Sequence, residues 1–198
     1  MKLAIIGSAL TGGAIQIVDI CLGDGIANEL RIYDDDPRAN CATILGVPVV
    51  GTTDQVSSDF ANNLIDSVIV AVGSINSRFM LFQKINCEEY PIINIISRKA
   101  TISSSVKIGK GNVILPNVYI GPNVTIGDNN YITTSSVVNH DSSIGSHCYF
   151  STSVSVAGRV KIGSKVRLDT SCSVSADAII EDRAHLLPGK NYGPLRLP

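Results

Sequence analysis

A branched or aromatic apolar residue falls on every sixth position of one long stretch: Ile102, Ile108, Ile114, Ile120, Ile126, Ile132, Val138, Ile144, Phe150, Val156, Ile162, Leu168, Val174, Ile180 and Leu186. Helices repeat near 3.6 residues and strands near 2, so a period of six belongs to neither. It predicts a β-solenoid, in which short strands joined by corners wind about an axis and each turn stacks on the last. Three six-residue units close one triangular coil, so the fifteen units make five coils. The position two before each anchor is small or apolar almost throughout, as at Val106, Val118, Val124, Cys148, Val154, Val160, Val166 and Cys172. Residues two apart on a strand share a face, so both columns point inward. Each fully buried anchor contributes roughly 1.5–3 kcal/mol. Asn112 and Asn130 interrupt the second column and need hydrogen-bond partners there. Glycine follows the anchor at Gly109, Gly121, Gly127, Gly145 and Gly163, where free φ is expected to serve a tight corner.

The first ninety-odd residues follow a different pattern. Lys2 to Ile6 reads as a buried strand, and Gly7-Ser8-Ala9-Leu10-Thr11-Gly12-Gly13 as a turn into an apolar helix from Ala14 to Leu22. Strands are expected again at Leu30 to Tyr33, Val47 to Val50, Ser67 to Val72 and Pro91 to Ile96, with a helix over Ser77 to Asn86. Strands alternating with helices, with a glycine turn after the first strand, predict a small, parallel, doubly wound, Rossmann-like α/β domain. The expected organisation is therefore α/β plus β-solenoid, with domains over 1–97 and 98–198.

Ligands of such sheets lie at the carboxyl ends of the strands, which gathers the glycine turn, the acidic run Asp34-Asp35-Asp36 and Gly73 at one crevice. Backbone N–H groups at a helix start suit a phosphate, and Asp34 or Asp35 would accept hydrogen bonds from a ribose or base. An ordinary strand-to-helix turn and a solvated acidic loop are the alternative, because the GxGxxG pattern is absent.

A formal net charge of −1 leaves no electrostatic footprint for nucleic acid or an anionic membrane. Five dispersed cysteines without a CxxC pair argue against a disulfide framework and for a reducing, cytoplasmic compartment. The apolar start MKLAIIG ends at a glycine, too short for a signal peptide or a membrane span.

Together, the α/β domain, the stretch Val68 to Arg78 (VIVAVGSINSR), the hexad segment Thr134 to Gly145 (TSSVVNHDSSIG) and Ala157-Gly158-Arg159-Val160-Lys161-Ile162-Gly163 resemble the sialic-acid O-acetyltransferase family of bacterial sugar acyltransferases. That family includes N-acetyltransferases acting on nucleotide-linked 4-amino sugars. The resemblance implies a left-handed parallel β-helix and a homotrimer with active sites between subunits. It also implies acetyl-CoA as co-substrate and a nucleotide sugar as acceptor.

By the same resemblance His140 is the general base and Asp141 its acidic neighbour. An imidazole, ordinarily titrating near pH 6.5, can take the proton of an attacking amine while a carboxylate orients it. The Gly158 amide is implied as an oxyanion donor. Tyr149, Gly158, Thr170 and Gly189 are implied contacts of the coenzyme; Tyr149 stands where one branch carries a second His. Gly7, Ser8, Gly12, Gly13, Asp34, Asp35 and Gly73 are the implied acceptor site. Gly13 replaces a common His, and Thr133 replaces a common Asn.

Hexapeptide solenoids also occur as zinc enzymes with three converging histidines. The spacing of His140, His147 and His185 does not reproduce that pattern, so no catalytic metal is expected. Sialic-acid-type O-acetylation and a non-catalytic solenoid that binds a nucleotide sugar remain the competing readings. Replacing Ile144, at the centre of its column, with Asp is expected to prevent folding, since an unpaired carboxylate would enter a dry prism. Circular dichroism and size-exclusion chromatography of Ile144→Asp check this; a soluble, folded variant would contradict the core assignment.

Overall fold

The structure is a computed structural model describing residues 1–7, 12–88 and 90–194. The chain divides into two compact units, Met1–Ile95 and Ile96–Pro198.

The first unit is built on β1 (Lys2–Ile6), α1 (Gly13–Gly23), β2 (Glu29–Tyr33), β3 (Thr43–Ile44), β4 (Val47–Gly51), α2 (Val56–Ala61), β5 (Ser67–Val70) and α3 (Ile75–Cys87). Its sheet runs in the order β3-β4-β2-β1-β5. β4, β2, β1 and β5 are parallel, and β3 is antiparallel to β4. Successive residues of β1 face opposite ways. Ala4 and Ile6 join a core with Val56, Phe82 and Ile85 of α2 and α3, while Leu3 and Ile5 are buried on the other face. The chain reverses its direction of travel across the sheet at β1 and β5, which makes their carboxyl ends the topological switch point. Two expectations needed correction here. The strand expected over Pro91 to Ile96 contracts to a bridge at Ile92 beside Val68 and a two-residue strand Ile95–Ile96. The helix α2 was not expected at all: six residues of sequence VSSDFA carry too little periodicity to announce it.

The second unit is the predicted solenoid, a left-handed parallel β-helix. Every anchor lies in a two-residue strand, and partners along each face are eighteen residues apart, as in Tyr119↔Val137 and Ser143↔Lys161. The first face holds Thr101–Ile102, Tyr119–Ile120, Val137–Val138, Ser155–Val156, Ser173–Val174 and Asn191–Tyr192. The second runs from Lys107–Ile108 to Ile179–Ile180, and the third includes Tyr131–Ile132, Tyr149–Phe150 and His185–Leu186. No excursion interrupts the span from Ile102 to Leu186. Both inward columns form one core, with Ile120, Ile132, Val138, Phe150, Val156 and Leu168 fully buried.

The polar breaks in the second column are satisfied by that same spacing. Asn112 Oδ1 accepts from the Asn130 N–H at 2.9 Å, and Asn130 Oδ1 accepts from the Cys148 N–H at 2.7 Å. Ser136 and Ser142 likewise accept from the N–H groups of Val154 and Val160. Cys148 and Cys172 lie in this column, and burial pushes their thiols up to about 12 and about 11.

The corner chemistry differs from expectation. Left-handed backbone recurs every six residues at Gly111, Asn117, Asn123, Asn129, Ser135, Asp141, His147, Ser153, Arg159, Lys165, Ser171, Asp177, Arg183 and Gly189, three positions after each anchor from Ile108 onward. None of the glycines immediately after an anchor has positive φ. Those glycines serve close stacking instead. A Cβ on Gly145 would lie 2.6 Å from the backbone of Gly163, and one on Gly127 would lie 2.9 Å from that of Gly145. Gly145→Ala should therefore lower stability by about 1–3 kcal/mol, the usual range for overpacking. Thermal unfolding checks this; an unchanged midpoint would mean that the coils can separate without cost.

Candidate active site

The first corner, between the first and second faces, stacks Gly121-Pro122-Asn123-Val124, Asn139-His140-Asp141-Ser142, Ala157-Gly158-Arg159-Val160 and Ser175-Ala176-Asp177-Ala178. His140 immediately precedes a left-handed residue, Asp141 at φ 57°. Aspartate tolerates that conformation better than most side chains. The backbone on either side is tied down: the Asp141 N–H donates to Pro122 O at 2.9 Å, and His140 O accepts from the Arg159 N–H at 2.9 Å.

His140 Nδ1 lies 2.8 Å from Asp141 Oδ2. The other carboxylate oxygen, Oδ1, accepts from Asn123 Nδ2 at 3.0 Å. These two contacts, the imidazole first, hold the Asp141 carboxyl below its ordinary value of 3.8. An ionised Asp141 is an acceptor only, so Nδ1 carries the proton in this contact and Nε2 is left with its lone pair. The imidazole is about half exposed, at 50%, so that lone pair is open to a substrate.

Two glycines make room for this ring. A Cβ on Gly158 would sit 2.7 Å from His140 Nε2 and 2.8 Å from Cε1, so Gly158 lies directly against the edge that would accept a proton. A Cβ on Gly121 would meet the His140 backbone nitrogen at 3.0 Å from the preceding coil. His140, Asp141 and Gly158 are therefore brought together at one corner. Asn123, and an Arg159–Asp177 ion pair one coil further on, were missed, although the eighteen-residue spacing from Asp141 points to each of them.

Gly158 apart, the residues expected to meet the coenzyme lie elsewhere in this unit. Tyr149 is on the third face, stacked on Tyr131 at 5.7 Å between ring centroids, with the Arg167 guanidinium 5.3 Å above its ring. Thr170 and Gly189 share the corner between the third and first faces, where the Gly189 N–H donates to Thr170 O at 3.0 Å. Thr170 Oγ1 is 2.9 Å from Ser151 Oγ. The other histidines are engaged separately: His147 Nδ1 is 2.9 Å from Asn129 Nδ2, and His185 Nε2 is 2.6 Å from Asp169 Oδ2. Among the described residues no cluster of three or more His, Cys, Asp or Glu side chains could hold a metal ion.

In the first unit, Gly7, Asp34 and Gly73 follow the carboxyl ends of β1, β2 and β5. Gly7 has φ 79°, and a Cβ there would come 2.6 Å from Val72 Cγ2. Gly12 caps α1 at φ 89° with open space around it, and Gly13 is the first residue of that helix. Ser8 lies outside the described residues. Both acidic side chains have internal partners: Asp34 Oδ1 accepts from the Asp36 N–H at 2.9 Å, and Asp35 takes the Thr53 N–H at 2.8 Å and its hydroxyl at 2.9 Å. Among the described residues no helix is long and apolar enough to cross a membrane.

The site's geometry predicts a sharp steric effect. Gly158→Ala should leave the coils intact yet displace the imidazole from Asp141, because ring rotation is the easier relief. A crystal structure of Gly158→Ala with an unmoved His140 ring would contradict this.

A family model for the GMPPB C-terminal domain matches residues 96–190. No curated protein sequence matches the chain. Among solved structures, a histidine-to-alanine mutant of GDP-perosamine N-acetyltransferase from Caulobacter crescentus, in complex with CoA and GDP-perosamine, superposes with a TM-score of 0.73. It is 26% identical over 97% of this chain and 91% of that one. The acetyltransferase domain of PglB from Neisseria gonorrhoeae FA1090, in complex with acetyl coenzyme A, gives a TM-score of 0.77 at 21% identity, covering 93% and 94% of the two chains. WeeI from Acinetobacter baumannii AYE gives 0.75 at 19%, covering 97% and 94%. Two of these three structural neighbours are thus acetyltransferases by name, one of them bound to CoA and a nucleotide-linked sugar, and all three share the fold of this chain.

Proposed function

We propose that the protein is an acetyl-CoA-dependent N-acetyltransferase acting on the amino group of a nucleotide-linked amino sugar, with His140 as general base. The observation that carries this reading is the His140–Asp141 contact, which leaves Nε2 as a proton acceptor against the bare edge of Gly158. The neighbour that binds CoA and GDP-perosamine supports the choice of substrates. It also favours an amine acceptor over the hydroxyl implied by the sialic-acid O-acetyltransferase resemblance.

In the reaction the sugar nitrogen attacks the thioester carbonyl and His140 Nε2 takes its proton. The new C–N bond forms, the C–S bond breaks, and the imidazolium returns the proton to the departing thiolate. Asp141 holds the ring and stabilises the imidazolium, and the Gly158 N–H faces the developing oxyanion. The turn after β1 and the start of α1, with no acidic residue in its first turn, hold the diphosphate at Gly7, Gly12 and Gly13. Gly73 flanks it, and Ser8 follows Gly7 in the sequence. Asp34 and Asp35 shape the nucleoside end, through the turns they fasten as much as through direct contact.

Tyr149, Thr170 and Gly189 are assigned to acetyl-CoA. They occupy a different face and corner of the prism from His140, so a site using both sets draws them from two copies of the chain. The homotrimer that the resemblance implies, with active sites between subunits, would bring both sets together. Five free thiols suit a cytoplasmic enzyme.

His140→Ala should retain fold and acceptor affinity but lower turnover by about 10²–10⁴-fold, the usual range for loss of a general base. Asp141→Asn should cost less, since the imidazole remains. Because the folded-state value of Asp141 is depressed, its carboxylate persists on acidification until the pH falls below the ordinary value of 3.8. Protonation of Asp141 should therefore leave no mark on the rate profile above that pH. Thiol release from acetyl-CoA, measured against GDP-, UDP- and dTDP-linked 4-amino sugars and a sialic-acid-type alcohol, checks all three. Full activity in His140→Ala would overturn the assignment, and a wild type inert toward every acceptor would leave the binding solenoid as the better reading.

A further inference from the structure

The first corner carries a charged pair that the proposed reaction does not use. Asn123, Asp141, Arg159 and Asp177 are successive members of one column, all left-handed, with φ of 58°, 57°, 59° and 65°. Consecutive coils stack at about 4.8 Å, the separation of hydrogen-bonded strands. Arg159 therefore lies one coil from each of two aspartates, and it is committed to one of them. Its Nε donates to Asp177 Oδ1 at 2.7 Å and its Nη2 to Oδ2 at 2.9 Å, a two-pronged grip.

The aspartate on its other side is Asp141, whose Oδ2 holds His140 Nδ1 and whose Oδ1 holds Asn123. A guanidinium is a stronger partner for a carboxylate than a neutral imidazole, being always charged and matched to both oxygens. An Arg159 without Asp177 would turn to Asp141 and displace the ring. Among the described residues Arg159 is the one lysine or arginine at this corner; on the strands that flank it, Lys107 and Lys161 point outward from the second face.

We propose that Asp177 is a positioning residue: by gripping Arg159 it reserves Asp141 for His140, and so keeps the imidazole in the Nδ1–H form with Nε2 as acceptor. The proposal rests on the reading of His140 as the base, but its central observable needs no turnover. An imidazole freed from Asp141 reverts to the Nε2–H form favoured by unrestrained histidine, which cannot accept a proton at the substrate edge.

Imidazole ¹⁵N and ¹H spectra of the full-length protein, recorded where the ring is neutral, test this in wild type, Asp177→Asn and the double variant Arg159→Met/Asp177→Asn. Wild type is expected to show His140 as Nδ1–H with a downfield, hydrogen-bonded proton. Asp177→Asn should lose that proton and shift to Nε2–H, and the double variant should regain the Nδ1–H form. With an acceptor in hand, turnover should fall by about tenfold or more in Asp177→Asn, with acceptor KM little changed, and recover in the double variant. Asp177→Glu, which keeps the grip, should resemble wild type. An Asp177→Asn protein that retains Nδ1–H, or a double variant that fails to regain it, overturns the proposal. The spectra decide even if no acetyl transfer is ever detected.

Discussion

The solenoid depends on hydrogen bonds between one coil and the next, and these run in both directions along the axis. After each anchor the backbone donates forward, as Gly121 N–H does to Val138 O and Gly145 N–H to Ile162 O. Two residues later it donates backward, as Asp141 N–H does to Pro122 O and Arg159 N–H to His140 O. The residue that donates backward is itself left-handed, and such backbone recurs at every corner from Gly111 to Gly189. Burial of the apolar anchors supplies the driving force, but the alternating donors fix the distance between coils and hold each outward side chain in place.

The candidate active site uses that alternation directly. Asp141 occupies the left-handed position, and the residue before it, His140, is held by its carbonyl to the next coil. Adjacent coils then bring Asn123 from one side and Gly158 from the other to within contact of the pair. Ordinary corner geometry thus positions a proton acceptor without a loop, a helix end or any departure from the repeat. Rigidity follows from the same source, since His140 cannot move far without opening ladder bonds on both sides.

The solenoid was legible because every unit obeys one rule, and a lapse such as Asn130 could be read as a demand for a partner, met by Asn112. The left-handed corners were not legible. Apart from Gly111 and Gly189 their occupants are Asn, Ser, Asp, His, Arg and Lys, which share polarity but no single side-chain chemistry. Glycines after the anchors were noticed for the wrong reason, because sequence alone does not distinguish a demand on φ from a demand on space. His140 and Asp141 could be picked out as neighbours in sequence, whereas Asn123 and the Arg159–Asp177 pair reach the site only across coils. In the α/β unit, β1 and α1 stood out by their apolar runs, while the role of Asp35 in fastening Thr53 depended on a turn that no pattern announces.

The strict stacking also limits how such a chain can change in length. Removing six residues would turn everything downstream by one face, carrying Gly158 and Asp177 away from His140 while leaving the apolar core intact. Removing eighteen would excise a whole coil and restore every column, with a new neighbour above the histidine. Insertions and deletions are therefore quantised: whole coils keep core and site alike, six-residue units keep only the core, and an insertion of any other length has to be expelled as a loop.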